Sequence, residues 1–276
     1  MPPLQTQRIN PRTKRLEEMA QRFVSPGGLR EFYTKAIAED LAALEAPPKL
    51  HRYFDYYNLS HDYLQMAQFQ QLAGDTAACK ESFRLAARHR LEACRWFDDL
   101  PPETRERCVT SVNLRALPYF QGAALAGARE LALELGRRLI AADQTGLPRC
   151  VQALEETSIR LYAGEDEAVR ANCAFIRENK GKLWTCKTIF QEMDILDALL
   201  DRDGQRFYDA FVVLFRRDRR DPYIDLLDMG LIMLGRIALS RGLELPLDTM
   251  ECPRALMLPD QLDPHPNPKG AFSHAL

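Results

Sequence analysis

The chain has no long hydrophobic run, no marked excess of either charge and no closely paired cysteines, and each absence removes a class of protein. No stretch stays apolar over the roughly 18 residues that a membrane-spanning helix needs. Residues 1–15 are polar and carry Pro2, Pro3 and Pro11, so the apolar centre of a secretory signal is missing and a cytoplasmic protein is expected. With 37 basic and 39 acidic residues the net charge is -2, which argues against nucleic-acid binding through the whole surface. The seven cysteines include no C-x-x-C pair, so neither a zinc ribbon nor a thioredoxin-like redox site is expected. Cys79, Cys94, Cys108, Cys150, Cys173 and Cys186 fall in helical patterns, as reduced, buried thiols would.

Catalytic signatures are equally scarce. There is no G-x-S-x-G elbow, phosphate loop, G-x-G-x-x-G fingerprint or H-E-x-x-H pair. The five histidines do not cluster. His51 and Asp55 lie one turn apart on an aromatic-rich helix, where a structural role is the default. Neither a cofactor nor a metal is therefore expected.

What is present is helical periodicity. Residues 64–97 read as two helices around a break at Ala73-Gly74-Asp75. Gly74 suits the left-handed residue that ends a helix, and Asp75 suits the cap that starts the next. Cys79, Phe83, Ala87, Leu91 and Cys94 draw one apolar stripe down the second helix. Lys80, Glu81, Arg84, Arg88, Glu92 and Arg95 occupy its other sides. Related breaks recur at Gly127, Gly164 and Gly204, at intervals close to the roughly 34–47 residues of helical repeats. No segment alternates like a strand. The expected fold is all-α, an irregular tetratricopeptide-like array or bundle of consecutive antiparallel hairpins, although the tetratricopeptide consensus is absent.

The expected organisation is a disordered arm over 1–14, one helical domain over 15–258 and a proline-rich tail over 259–276. Within the domain, helices are expected over 15–24, 29–45 and 49–73. The last of these carries Tyr53, Phe54, Tyr56, Tyr57, Tyr63 and Phe69, and it is expected to break near Asn58-Leu59-Ser60. Further helices are expected over 103–114, 120–126, 128–142, 149–162, 166–179, 183–200, 206–217 and 224–240. The last is the most apolar, and Gly230 and Gly235 would let neighbours approach it closely. The charged run 216–221 reads as a solvated loop. Beyond 245 prolines accumulate, so the chain is expected to pack as extended backbone and then fray.

Two sequence patterns point to function. Arg84-Leu85-Ala86-Ala87-Arg88-His89 fits the R-x4-H spacing of all-helical ribonucleases of the HEPN type. In that family the arginine and histidine act on the RNA phosphodiester in a dimer cleft. A polar residue commonly follows the arginine there, whereas this chain has Leu85.

The second pattern covers residues 30–260. Leu72-Ala73-Gly74-Asp75, followed by Ala78 and Phe83-Arg84-Leu85-Ala86-Ala87, opens it. Ala238-Leu239-Ser240-Arg241-Gly242-Leu243 and Pro253-Arg254-Ala255-Leu256 close it. Together these resemble the immunity protein 49 family, all-helical bacterial proteins encoded beside polymorphic toxins. The resemblance implies a cytoplasmic antitoxin that occludes one cognate toxin domain, such as one delivered by type VI secretion, with no catalysis of its own. It carries no toxin-contact residue over to this chain. An acidic face would suit a toxin with a basic active site. The candidates are Glu155, Glu156, Glu165, Asp166 and Glu167, with Tyr56 and Tyr162 as anchors. A helical-repeat scaffold for another protein partner remains the alternative.

Overall fold

The same backbone device ends five of the helices. At Gly74 the N–H donates to the Gln71 carbonyl at 3.0 Å, and the next N–H, of Asp75, donates back to Gln70 at 2.8 Å. This paired motif satisfies the last carbonyls of a helix while the chain reverses. It recurs at Gly127, Gly164, Arg202 and Gly242. The glycines have φ of 84°, 70°, 87° and 80°. Arg202 takes the same left-handed turn with a side chain, at φ 54°.

The structure is a computed structural model that describes residues 11–46, 52–105, 117–141, 149–179, 186–215, 226–245, 247–250 and 252–258. The main helices are α1 (Pro11–Val24), α2 (Leu29–Glu45), α3 (Arg52–Leu72), α4 (Thr76–Asp98), α5 (Leu117–Leu125) and α6 (Arg129–Ala141). They continue with α7 (Arg149–Ala163), α8 (Asp166–Glu178), α9 (Cys186–Asp201), α10 (Gly204–Phe215), α11 (Met229–Ser240) and the single turn α12 (Arg254–Met257). The protein is all-α, with no strand among the described residues, and consecutive helices pack in antiparallel fashion. No helix there is long and apolar enough to cross a membrane.

Aspartate side chains cap three of the starts. Asp75 accepts from the Ala78 N–H at 3.0 Å, as its position predicts. Asp203 and Asp228 do the same for the N–H groups of Arg206 and Leu231. Asp228 is thus the cap of α11, and that helix begins at Met229 rather than at 224. α1 begins at Pro11, earlier than the sequence reading, because proline suits a first helical turn. α3 runs unbroken through Asn58-Leu59-Ser60. Ser60 caps nothing; its hydroxyl donates to the Tyr57 carbonyl one turn back, at 2.7 Å. Gly204 begins α10 instead of supplying the turn, which falls to Arg202. Residues 1–10 of the arm expected over 1–14, most of the expected helix over 103–114, the run 216–221 and the tail over 259–276 lie outside the described residues, as does His51.

Buried apolar side chains from Leu16 on α1 to Met257 on α12 make the main core, and Tyr53, Cys94, Phe97 and Leu100 form a second, smaller cluster. Phe23 stacks on Phe69 with ring centroids 5.5 Å apart, which docks α1 on α3. The Leu227 N–H donates to the buried Gln68 side chain at 3.2 Å and ties the start of α11 to α3. Between Gly242 and α12 the described residues form no helix or strand, and Leu243, Leu245 and Leu247 are buried. Gly235 accommodates this return: a Cβ there would lie 2.6 Å from Met257 Sδ. Arg236, buried beside it, donates to the carbonyls of Leu256 and Leu258. Cys79, Cys94, Cys173 and Cys252 are buried free thiols. Burial pushes the Cys173 thiol up to about 11 and raises those of Cys79 and Cys94, so they are poor nucleophiles.

Candidate functional site

The α3–α4 hairpin, with α5 laid against α4, gathers the unusual polar chemistry of the molecule. On α3 the i, i+3 and i+4 spacing puts Tyr56, Tyr57, Ser60 and Tyr63 along the sides that meet α4 and α5. On α4 the buried stripe runs through Cys79, Phe83, Ala86, Ala87, Leu91 and Cys94. Arg90, four residues after Ala86 and four before Cys94, occupies a stripe position that an aliphatic side chain would fill.

Arg90 is completely buried. Its guanidinium carbon lies 4.3 Å from the ring centroid of Tyr57 and 4.1 Å from that of Tyr119 on α5. Cation–π contacts at this distance are worth about 2 kcal/mol each when desolvated. Nε, Nη1 and Nη2 are buried and have no hydrogen-bond partner among the described residues. Arginine does not shed its proton to escape burial. The two rings are held in turn: the Tyr119 hydroxyl hydrogen-bonds the Ser60 hydroxyl, which donates to the Tyr57 carbonyl. Burial raises the Tyr119 phenol, opposed by Arg90.

His89, the next residue, turns to the other side of the hairpin. Its ring stacks between Tyr63 and Tyr56, at centroid distances of 5.6 and 6.1 Å and interplanar angles of 8° and 23°. Burial, aided by the Arg88 charge, lowers its pKa to about 4, so it is neutral at pH 7. Arg84 is not brought to it. Five residues rotate a helix by roughly 500°, which leaves the two side chains about 140° apart. Arg84 is instead ion-paired with Glu81.

The acidic candidates do not form one open face. Glu156 is nearly buried and pairs with Arg149 at 2.7 Å and Arg160 at 3.9 Å. Glu165 meets the same Arg160 at 2.8 Å. Asp166 pairs with Arg241 at 2.6 Å. Glu155 is half-buried, and Glu167 is exposed with no ion pair among the described residues. Tyr162 packs edge-on against Phe120 with centroids 5.6 Å apart, while Tyr56 is the partner of His89.

Sequence reading singled out His89 and Tyr56 but missed Arg90, Tyr57, Ser60 and Tyr119 as a unit. The signal was present in Arg90, a charge placed on an apolar stripe. Among the described residues no group of three or more His, Cys, Asp or Glu side chains could hold a metal ion. No family model, curated protein or solved structure matches the chain.

Proposed function

We propose that the protein is an immunity protein, a cytoplasmic helical antitoxin that binds a cognate toxin domain and occludes it without chemistry of its own. The observation that favours binding over catalysis is the separation of Arg84 from His89. The one pair with an enzyme-like spacing points to different sides of α4, and the histidine is a weak base held between two tyrosines. A general base works best with a pKa near the working pH, and His89 lies well below it. The resemblance to the immunity protein 49 family supplies the partner class. The turn residues that carry that resemblance, Gly74 with Asp75 and Arg241 with Gly242, are helix ends here, and they support a rigid binding scaffold.

The test is growth of cells expressing the toxin-like domain encoded beside this gene, with and without this protein. Rescue together with a stable co-purifying complex is the expected result. Rescue without a complex would indicate an enzymatic antidote, and RNA cleavage lost in His89→Ala would then select the ribonuclease. Absence of rescue sinks the antitoxin reading and leaves a scaffold for another protein.

A further inference from the structure

We propose that Arg90, with Tyr57, Ser60 and Tyr119, is a binding site for an oxyanion, a carboxylate or phosphate group that meets the edge of the guanidinium. The inference is independent of the toxin reading. Three observations converge on it. Arg90 is fully buried on an otherwise apolar stripe, where a permanent charge is costly unless paired. None of its three nitrogen atoms has an acceptor among the described residues. The guanidinium is nonetheless held in place, between Tyr57 at 4.3 Å and Tyr119 at 4.1 Å.

Aromatic rings satisfy the π face of a guanidinium but not its N–H groups, which lie in its plane and point outward. An oxyanion presents two or more acceptors at the spacing of that fork, and such pairs are the strong charge-assisted kind. The surroundings are prepared for this ligand. The Ser60 hydroxyl links the Tyr119 hydroxyl to the Tyr57 carbonyl, so both rings are fixed before anything binds. Among the described residues no carboxylate is bonded to Arg90: Asp55 and Asp62, on α3, make no ion pair with it, although the Asp62 charge is felt at Tyr119. A neutral ligand would leave the charge uncompensated, which selects an anion.

The test is saturable stabilisation of the whole chain by inorganic phosphate and, separately, by acetate, read as the thermal midpoint at constant ionic strength. The wild type should rise with one of them along a binding curve, because a ligand that binds only the folded state stabilises it by mass action. The anion that acts identifies the class. Arg90→Met should fold, since an apolar side chain of similar length fits the stripe, and should weaken anion affinity roughly tenfold or more. Arg90→Lys keeps the charge without the fork and should bind between the two. Circular dichroism establishes that each variant is helical. No saturable response to either anion in the wild type, or an equal response in Arg90→Met, overturns the proposal.

Discussion

Arg241, at the C-terminal end of α11, holds Asp166 at the start of α8 through a 2.6 Å contact that joins residues far apart in sequence. The carboxylate is half-exposed, but the arginine keeps only 11% of its side chain in solvent and also donates to the Leu199 carbonyl at 3.3 Å. Replacing the carboxylate by a neutral amide removes the charge that compensates a mostly buried cation. Asp166→Asn should therefore cost about 1–2 kcal/mol, more than an ordinary surface pair. Urea unfolding checks it: a lowered midpoint at an unchanged slope is the expected outcome.

That contact also changes how an acidic steering face should be probed. Reversing Glu165 and Asp166 would break the pairs with Arg160 and Arg241 and confuse folding with association. Glu167 is exposed on the same turn of α8 and free of such pairs among the described residues. If this end of α8 faces a basic toxin, Glu167→Lys should leave stability within about 0.5 kcal/mol of wild type and slow association at low salt. Stopped-flow binding to the toxin domain decides the point. An unchanged on-rate with unchanged salt dependence would place the interface elsewhere.

Local chemistry made the fold legible and tertiary chemistry hid the rest. Asp75 and Gly74 could be read because a cap and a left-handed turn depend on neighbours in sequence. The false break at Ser60 has the opposite origin. A serine there has the local option of capping, but burial beside Tyr119 and a bond to the Tyr57 carbonyl keep it inside one long helix. The acidic residues looked available because the partners of Asp166 and Glu165 lie on other turns and helices. Arg90 was visible as a charge set within an apolar stripe, but its rings come from two different helices.

His89 and Asp40 should impose opposite slopes on stability over the same pH range. The folded chain holds His89 down to about 4 against an ordinary 6.5, through burial and the Arg88 charge. As pH falls from 6.5 to 4 the unfolded state takes up a proton that the folded state refuses, so stability declines. Asp40 on α2 is raised from 3.8 to about 6 by burial and by Asp62, Asp55 and Glu39. As pH rises from about 4 to 6 the unfolded state releases a proton that the folded state keeps, and stability again declines. Asp62, raised by burial, adds to the second slope. Asp40→Asn should leave stability rising with pH across this window and improve it at pH 7. His89→Gln should leave it falling. Parallel curves for both variants and the wild type would refute these assignments.

Gly235 is required by contact rather than by backbone. A methyl group there would lie 2.6 Å from Met257 Sδ and 3.1 Å from Leu245 Cδ2, where the returning chain packs on α11. Overpacking of this kind costs typically about 1–3 kcal/mol, enough to outweigh the helical preference of alanine. Gly235→Ala should destabilise by that amount. In Met257→Ala the obstructing sulfur is gone, so the same glycine substitution should cost much less. The coupling between the two, from a double-mutant cycle, is the quantity to measure, and simple additivity would show that Met257 is not the obstacle.

Arg202 offers the converse experiment. It holds the left-handed position that glycines fill at the four equivalent turns, and its N–H and that of Asp203 make the same pair of bonds, at 3.4 and 2.9 Å. A side chain there crowds its own backbone by roughly 1 kcal/mol or more, a cost glycine escapes. Glycine loses part of that gain because it leaves the unfolded chain freer. Arg202→Gly should therefore stabilise the protein by about 0.5–1 kcal/mol, and Gly164→Arg at the equivalent turn should destabilise it. Thermal unfolding of the pair gives a direct answer. If Arg202→Gly instead lowers the midpoint, the arginine side chain contributes more through its surroundings than its strained backbone costs.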